Sequence, residues 1–127
     1  MSDSDGTASP PDAVKNVLFI MCDQMRFDAL SCTGGLIDTP NIDALAARGV
    51  RFDRAFVQGS VCGSSRMSTY TGRYVQSHGS RYNQVPLSVS QQTIGDHLDP
   101  LGVRSVLVGK THMATDDSGL NLSLIHI

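Results

Sequence analysis

An excess of charge of either sign is missing from this sequence. Ten Lys and Arg stand against 12 Asp and Glu, for a net charge of −2. That balance gives no electrostatic case for binding nucleic acid or an anionic membrane surface. Long apolar runs are missing too, and none approaches the ~20 residues of a membrane-spanning helix. Cysteine is scarce: the three residues, Cys22, Cys32 and Cys62, are odd in number and lack metal-ligand spacing, so they describe no disulfide framework. Residues 1–14 are polar and acidic and contain no apolar secretory core. They read as a disordered leader, and the protein is expected to be cytoplasmic. Two phosphate-handling loops are also absent. A thiol phosphatase loop starting at Cys62 needs its Arg where Ser68 stands, and a nucleotide phosphate loop ending in Gly109-Lys110-Thr111 needs Gly where Arg104 stands.

What remains, 127 residues with 40% hydrophobic and 17% charged side chains, suits one modest soluble domain with a real core. There is no internal repeat and no second domain. The informative stretch is Gln58 to Tyr74. A loop of small residues, 58–63, runs into a predicted helix over 64–71, which Gly72 stops. Cys62 is thereby expected just ahead of a helix N-terminus, where unpaired N–H groups and the macrodipole favour an anion and lower a thiol pKa. Arg66, four residues later, brings a planar fork suited to a tetrahedral oxyanion. A lone Cys is more often a buried structural residue. The flanking Gly, Ser and Arg favour a site for a sulfate or phosphate group instead.

The rest of the chain places further polar groups at the ends of apolar runs. Val17 to Cys22 reads as a strand buried on both faces and ends at Asp23-Gln24. Asp23 reads either as a hard-cation ligand or as a turn former. Residues 25–30 are predicted as a short helix. Thr39-Pro40 opens a helix that Gly49 closes, with Ile42, Leu45 and Ala46 on its inner face. Residues 51–57 read as a strand with one covered face and 75–90 as a loop. Residues 91–101 read as a short helix with Ile94, Leu98 and Leu101 inward. A third buried strand, near 104–109, ends at Lys110 and His112, which could both reach an anion and a leaving group. Each of the two alone is more often a solvated or satisfied side chain. Alternation of strands and helices predicts an α/β fold, a mostly parallel sheet flanked by helices, with Asp23, Cys62 and Lys110 near one edge.

Four ordered motifs carry a resemblance: Asn16-Val17-Leu18 to Asp23-Gln24, Thr39-Pro40-Asn41-Ile42-Asp43 to Val50, Cys62-Gly63-Ser64-Ser65-Arg66 to Tyr74, and Val108 to His112. From about Asn16 to Leu120 the chain resembles the N-terminal part of a sulfatase of the alkaline phosphatase superfamily, and the domain is placed at 15–121. Residues 82–87 also resemble the phosphonate monoester hydrolase branch. The resemblance implies an alkaline-phosphatase-like fold and a sulfuric ester hydrolase acting on small-molecule sulfate or phosphonate esters. It implies one divalent ion, Ca²⁺ or Mn²⁺, with Asp23, Gln24 and Cys62 as ligands; Gln24 stands where sulfatases commonly have a second Asp. Cys62 matches the residue that a formylglycine-generating enzyme oxidises to formylglycine, whose hydrate attacks sulfur or phosphorus. Arg66 would orient that nucleophile. Lys110 would hold the ester oxyanion, His112 would bond the nucleophile or the sulfate, and Asn83 joins Lys110 in binding substrate.

Ser64 replaces the Pro usual in the modification signal. Family members run much longer, with further metal ligands downstream, so the chain is read as an N-terminal fragment that is itself inactive. Residues 122–127 read as a non-native tail derived from a sequencing adapter. The competing readings are a phosphonate monoester or phosphodiester hydrolase, and a non-catalytic metal- or anion-binding module.

Overall fold

The computed structural model describes residues 14–113. The expected tail over 122–127, and all but the last residue of the expected leader, lie outside that range. In chain order the described residues form a 3₁₀ turn at Ser31–Thr33 and four helices: α1 (Pro40–Arg48), α2 (Cys62–Thr71), α3 (Val75–His78) and α4 (Ile94–Leu98). A second 3₁₀ turn, Asp99–Leu101, continues α4.

Helix α1 forms where the sequence places it. Pro40 occupies its first turn, Arg48 its last, and the Gly49 N–H bonds back to the Leu45 carbonyl. Thr39 precedes it without capping the backbone through its hydroxyl. That hydroxyl joins a cluster instead, because the Asp43 carboxylate collects three donors. Ser31 Oγ donates at 2.5 Å, Thr39 Oγ1 at 3.0 Å and the Cys32 N–H at 3.1 Å. These bonds, the Ser31 hydroxyl first, hold the Asp43 pKa below the usual carboxylate range. Arg51 closes the cluster by donating to the Cys32 carbonyl. Helix α4 is held by a capping box between Thr93 and Asp96. The region read as a loop over 75–90 contains the single helical turn α3, and the helix read over 25–30 is one turn at 27–28.

The sheet is the main departure from expectation. None of the segments 17–22, 51–57 and 104–109 forms a named strand, and the described bridge pairing joins Leu30 to Ile37. A strand buried on both faces exists only when neighbours take up its N–H and C=O groups and helices cover its side chains. Among the described residues the side-chain cover is missing: Val17, Leu18, Phe52, Phe56 and Val108 are all largely exposed. The inward faces read for α1 and α4 are likewise uncovered at Ile42, Leu45, Ile94 and Leu101. So many solvent-facing apolar side chains predict strong binding of a hydrophobic dye by the isolated chain. A sharp cooperative melt without dye binding would contradict that expectation.

What is buried surrounds α2. Met67 and Tyr70 are its apolar members, and Ser64, Arg66, Ser68, His78, Ser80, Thr111 and His112 its polar ones. Burial of this kind demands hydrogen bonds, and most of these groups make them; among the described residues Arg66 Nε, Ser80 Oγ and the two ring nitrogens of His112 do not. The helix ends at Gly72, whose φ of 65° only glycine adopts freely.

Candidate active site

The candidate site grows from the first turn of α2. Its N-cap is Val61, so Cys62 is the first helical residue and not, as expected from sequence, a loop residue ahead of a helix that begins at 64. Val61 has no side-chain acceptor to offer the unpaired N–H groups of that turn. Asn83 supplies one from across the fold: the Gly63 N–H donates to Asn83 Oδ1 at 2.9 Å, and Cys62 Sγ approaches the same oxygen at 3.5 Å. The approach depends on glycine, since a Cβ at position 63 would lie 3.0 Å from Asn83 Oδ1 and 3.1 Å from its Cα. Ser64, in the usual place of Pro, turns its hydroxyl back to the Val61 carbonyl at 3.2 Å.

One turn further, Arg66 is 6% exposed. It donates to the Lys110 carbonyl at 2.6 Å and to Asp23 Oδ1 at 3.3 Å. Tyr70, four residues along the same face, lies 3.4 Å from both Arg66 Nη1 and the Lys110 carbonyl. Lys110 Nζ then completes the group, donating to Asp23 Oδ2 at 2.8 Å and standing 3.8 Å from Cys62 Sγ. Asp23, Cys62, Arg66, Asn83 and Lys110, spread over nearly ninety residues of sequence, thus converge on one point. Segments 23–24 and 109–112 carry two of these groups, and the two described non-glycine residues with positive φ, Gln24 at 54° and His112 at 59°, lie in them. Left-handed backbone at such residues is costly and concentrates at functional sites.

The charges act on one another. Lys110, by its hydrogen bond, and then Arg66 hold the Asp23 carboxyl below its usual range against a partial desolvation. The same bond to Asp23 raises the Lys110 pKa. His112 is pushed down, first by burial and then by the Lys110 and Arg66 charges, so its ring is neutral at neutral pH. Neither of its ring nitrogens makes a full hydrogen bond among the described residues.

A depressed carboxyl pKa means that Asp23 stabilises the fold fully above its unfolded pKa, and loses that contribution as pH falls through the folded value. Replacing Lys110 by Met removes the largest cause. The Asp23 carboxyl titration, followed by NMR, is expected to move up toward the ordinary range, and the acid side of the stability profile with it. An unmoved titration would break the assignment of that ion pair.

For a cation, the donor set fits one side of a site. An ammonium already lies between Asp23 and Cys62, which shows that the space between these two groups suits positive charge. A hard divalent ion prefers six or more oxygens. Among the described residues no cluster of three His, Cys, Asp or Glu could hold a metal. Asp23, the neighbouring Gln24 and the residue-62 side chain would be its partial shell.

Sequence reading named Asp23, Gln24, Cys62, Arg66, Asn83, Lys110 and His112, and the structure brings all but Gln24 into described contact or electrostatic reach. It missed Tyr70, although its spacing from Arg66, i to i+4 on one helix face, was readable. It gave Asn83 no part in closing the helix N-terminus, because a partner twenty residues away leaves no local signal.

The sulfatase family model matches residues 15–121. An N-acetylglucosamine-6-O-sulfatase of Bacteroides thetaiotaomicron is 34% identical over 107 residues, 84% of this chain and 19% of that protein. An arylsulfatase of Clostridium perfringens is 35% identical over 100 residues, 77% of this chain and 21% of its own length. A multifunctional alkaline phosphatase superfamily protein of Trinickia caryophylli is 33% identical over 108 residues, 80% of this chain and 21% of the relative. The chain therefore spans about a fifth of the length of these relatives.

Proposed function

The chain belongs to the sulfatase family, and on that premise we propose that its residues form the nucleophile side of a site that hydrolyses small-molecule sulfate esters. The observation that supports the reading most is the position of Cys62. It opens α2 with Lys110 Nζ 3.8 Å from its sulfur and Asn83 closing the adjacent N–H. Converted to formylglycine by a formylglycine-generating enzyme, this residue would supply an oxygen nucleophile at that place. A divalent ion, Ca²⁺ or Mn²⁺, held by Asp23, Gln24 and the residue-62 side chain, would supply Lewis-acid charge.

The chain's own groups do the rest. Lys110 and the N-terminal turn of α2 draw the ester's anionic oxygens toward residue 62. Arg66, clamped between Asp23 and the Lys110 carbonyl, fixes the loop that carries Lys110 and orients the nucleophile. Asn83 holds the first turn of α2 in register and gives a polar edge for substrate. His112, neutral and with a ring N–H to give, bonds the sulfate or hands a proton to the leaving alcohol.

A second reading, hydrolysis of phosphonate monoesters or phosphodiesters, draws on Gln24 beside Asp23 and on Asn83. The multifunctional relative is compatible with it. The deciding experiment compares an aryl sulfate with an aryl phosphonate, using a polypeptide that joins this segment to the further length its relatives have. A preference of roughly tenfold or more for the sulfate is expected. The reverse preference would transfer the conclusion to phosphonates. Turnover of neither, with binding of Mn²⁺ or sulfate retained, would leave a binding module.

A further inference from the structure

Beside the site, but not in it, is a buried chain of three residues that the proposed chemistry does not use. Ser68 lies on α2, His78 ends α3, and Ser80 follows; they are 8%, 5% and 0% exposed. Gly79, with a φ of 80°, turns the backbone so that the Ser80 N–H donates to His78 Nδ1 at 3.1 Å. An amide nitrogen can only donate, so Nδ1 carries the lone pair. In the neutral ring the proton is then on Nε2. Nε2 is 2.9 Å from Ser68 Oγ and donates to it. The ring thus clasps the middle of α2 with one nitrogen and the start of the 80–83 segment with the other. Three residues past Ser80, Asn83 meets the same helix again at Gly63 and Cys62.

We propose that His78, as its Nε2-protonated tautomer, is a positioning residue that pins the 80–83 segment to α2 and so sets Asn83 against the first turn of the helix. Without the pin, the described hydrogen bonds that still tie the segment to α2 are those of Asn83, and the Gly63 N–H and Cys62 lose their fixed partner more often. The consequence for catalysis rests on Cys62 being the nucleophile; the pin itself does not. Acid opposes it. A second proton on the ring would face the Ser80 N–H, donor against donor. Burial and the charge of Arg73, which follows α2, keep the ring neutral to lower pH than an ordinary histidine.

Hydrogen exchange of the dilute 127-residue chain, read by mass spectrometry on peptides, tests this without any activity assay. The readout is exchange in 62–66 divided by exchange in 30–35, where the Asp43 cluster is an internal reference. Ser68→Ala and His78→Ala are each expected to raise the ratio by about three- to tenfold. In the His78→Ala background Ser68→Ala should add nothing, since both remove one link. His78→Asn keeps an acceptor for the Ser80 N–H but cannot reach Ser68, and should behave like Ser68→Ala. In the wild-type chain the ratio should rise as pH falls through the histidine titration, and that step should vanish in His78→Asn. Additive effects, a rise shared equally by 30–35, an unchanged ratio, or a pH step that survives His78→Asn would each overturn the proposal. Loss of sulfatase activity in Cys62→Ala bears on the nucleophile alone and leaves this test untouched.

Discussion

Replacing Cys62 by Ala is expected to abolish sulfate ester turnover, by roughly 10⁴-fold or more, in a polypeptide that carries this segment with the further length of its relatives. The expectation is this large because nothing nearby could take over. Of the other two cysteines, Cys32 belongs to the Asp43 cluster through its N–H, and Cys22 is solvent-exposed. Cys22→Ala and Cys32→Ala should therefore leave turnover within a fewfold of wild type. Mass spectrometry on the peptide covering 55–73 then asks what the residue has become. In the folded chain Cys62 is half-buried and already helical. A modifying enzyme that needs an extended segment must act before α2 forms. Ser64 in place of Pro leaves Cys62 and Arg66 at the same spacing. Conversion is expected in protein made in its own host, and little conversion of the chain offered already folded. If the peptide holds only cysteine while hydrolysis continues, a thiol must replace the aldehyde-derived nucleophile.

The residues of the site were legible from sequence because their signals are local. Cys62 and Arg66 share one helix turn, and Thr39-Pro40 with Gly49 brackets α1 to the residue. The polar ends of the apolar runs at 17–22 and 104–109 pointed to Asp23 and Lys110, and these do meet, at 2.8 Å. The runs themselves were read as strands and form none among the described residues. Periodicity reports that a segment is apolar enough for a sheet, but a ladder also needs partners, and partners are a property of other segments. The same limit hid the cap on α2. A Ser or Asp at Val61 would have announced it, whereas Asn83 does the work from another part of the chain. His78 and Ser80 lay in a stretch read as loop. Their burial comes from the turn at Gly79 and from Ser68, neither of which has a periodic signature.

Arg66→Ala should be the most damaging change to the site's architecture. The guanidinium is almost fully enclosed, and it bonds to two other segments, through the Lys110 carbonyl at 2.6 Å and Asp23 at 3.3 Å, and to Tyr70 of its own helix at 3.4 Å. Truncation removes a charge-assisted bond to a carbonyl and leaves that carbonyl and the Tyr70 hydroxyl short of a partner, for a cost of about 2–3 kcal/mol. The bond to partly solvated Asp23 adds little to this, because water can replace it. The larger consequence is geometric. Arg66 Nη1 makes the shorter of the two described bonds from α2 to the Lys110 carbonyl, so Lys110 Nζ should lose its place beside Cys62, and turnover should fall by roughly 10³-fold. Arg66→Lys separates charge from shape. It keeps the positive charge, but a single ammonium cannot span the directions to the Lys110 carbonyl and Asp23 that the planar fork covers. Arg66→Lys should therefore recover part of the stability, seen as a smaller drop in melting temperature, while recovering little turnover. The Asp23 titration should rise in Arg66→Ala and stay near its wild-type value in Arg66→Lys. If Arg66→Lys instead turns over like wild type, the carbonyl clamp is dispensable, and Arg66 acts at this site as a charge alone.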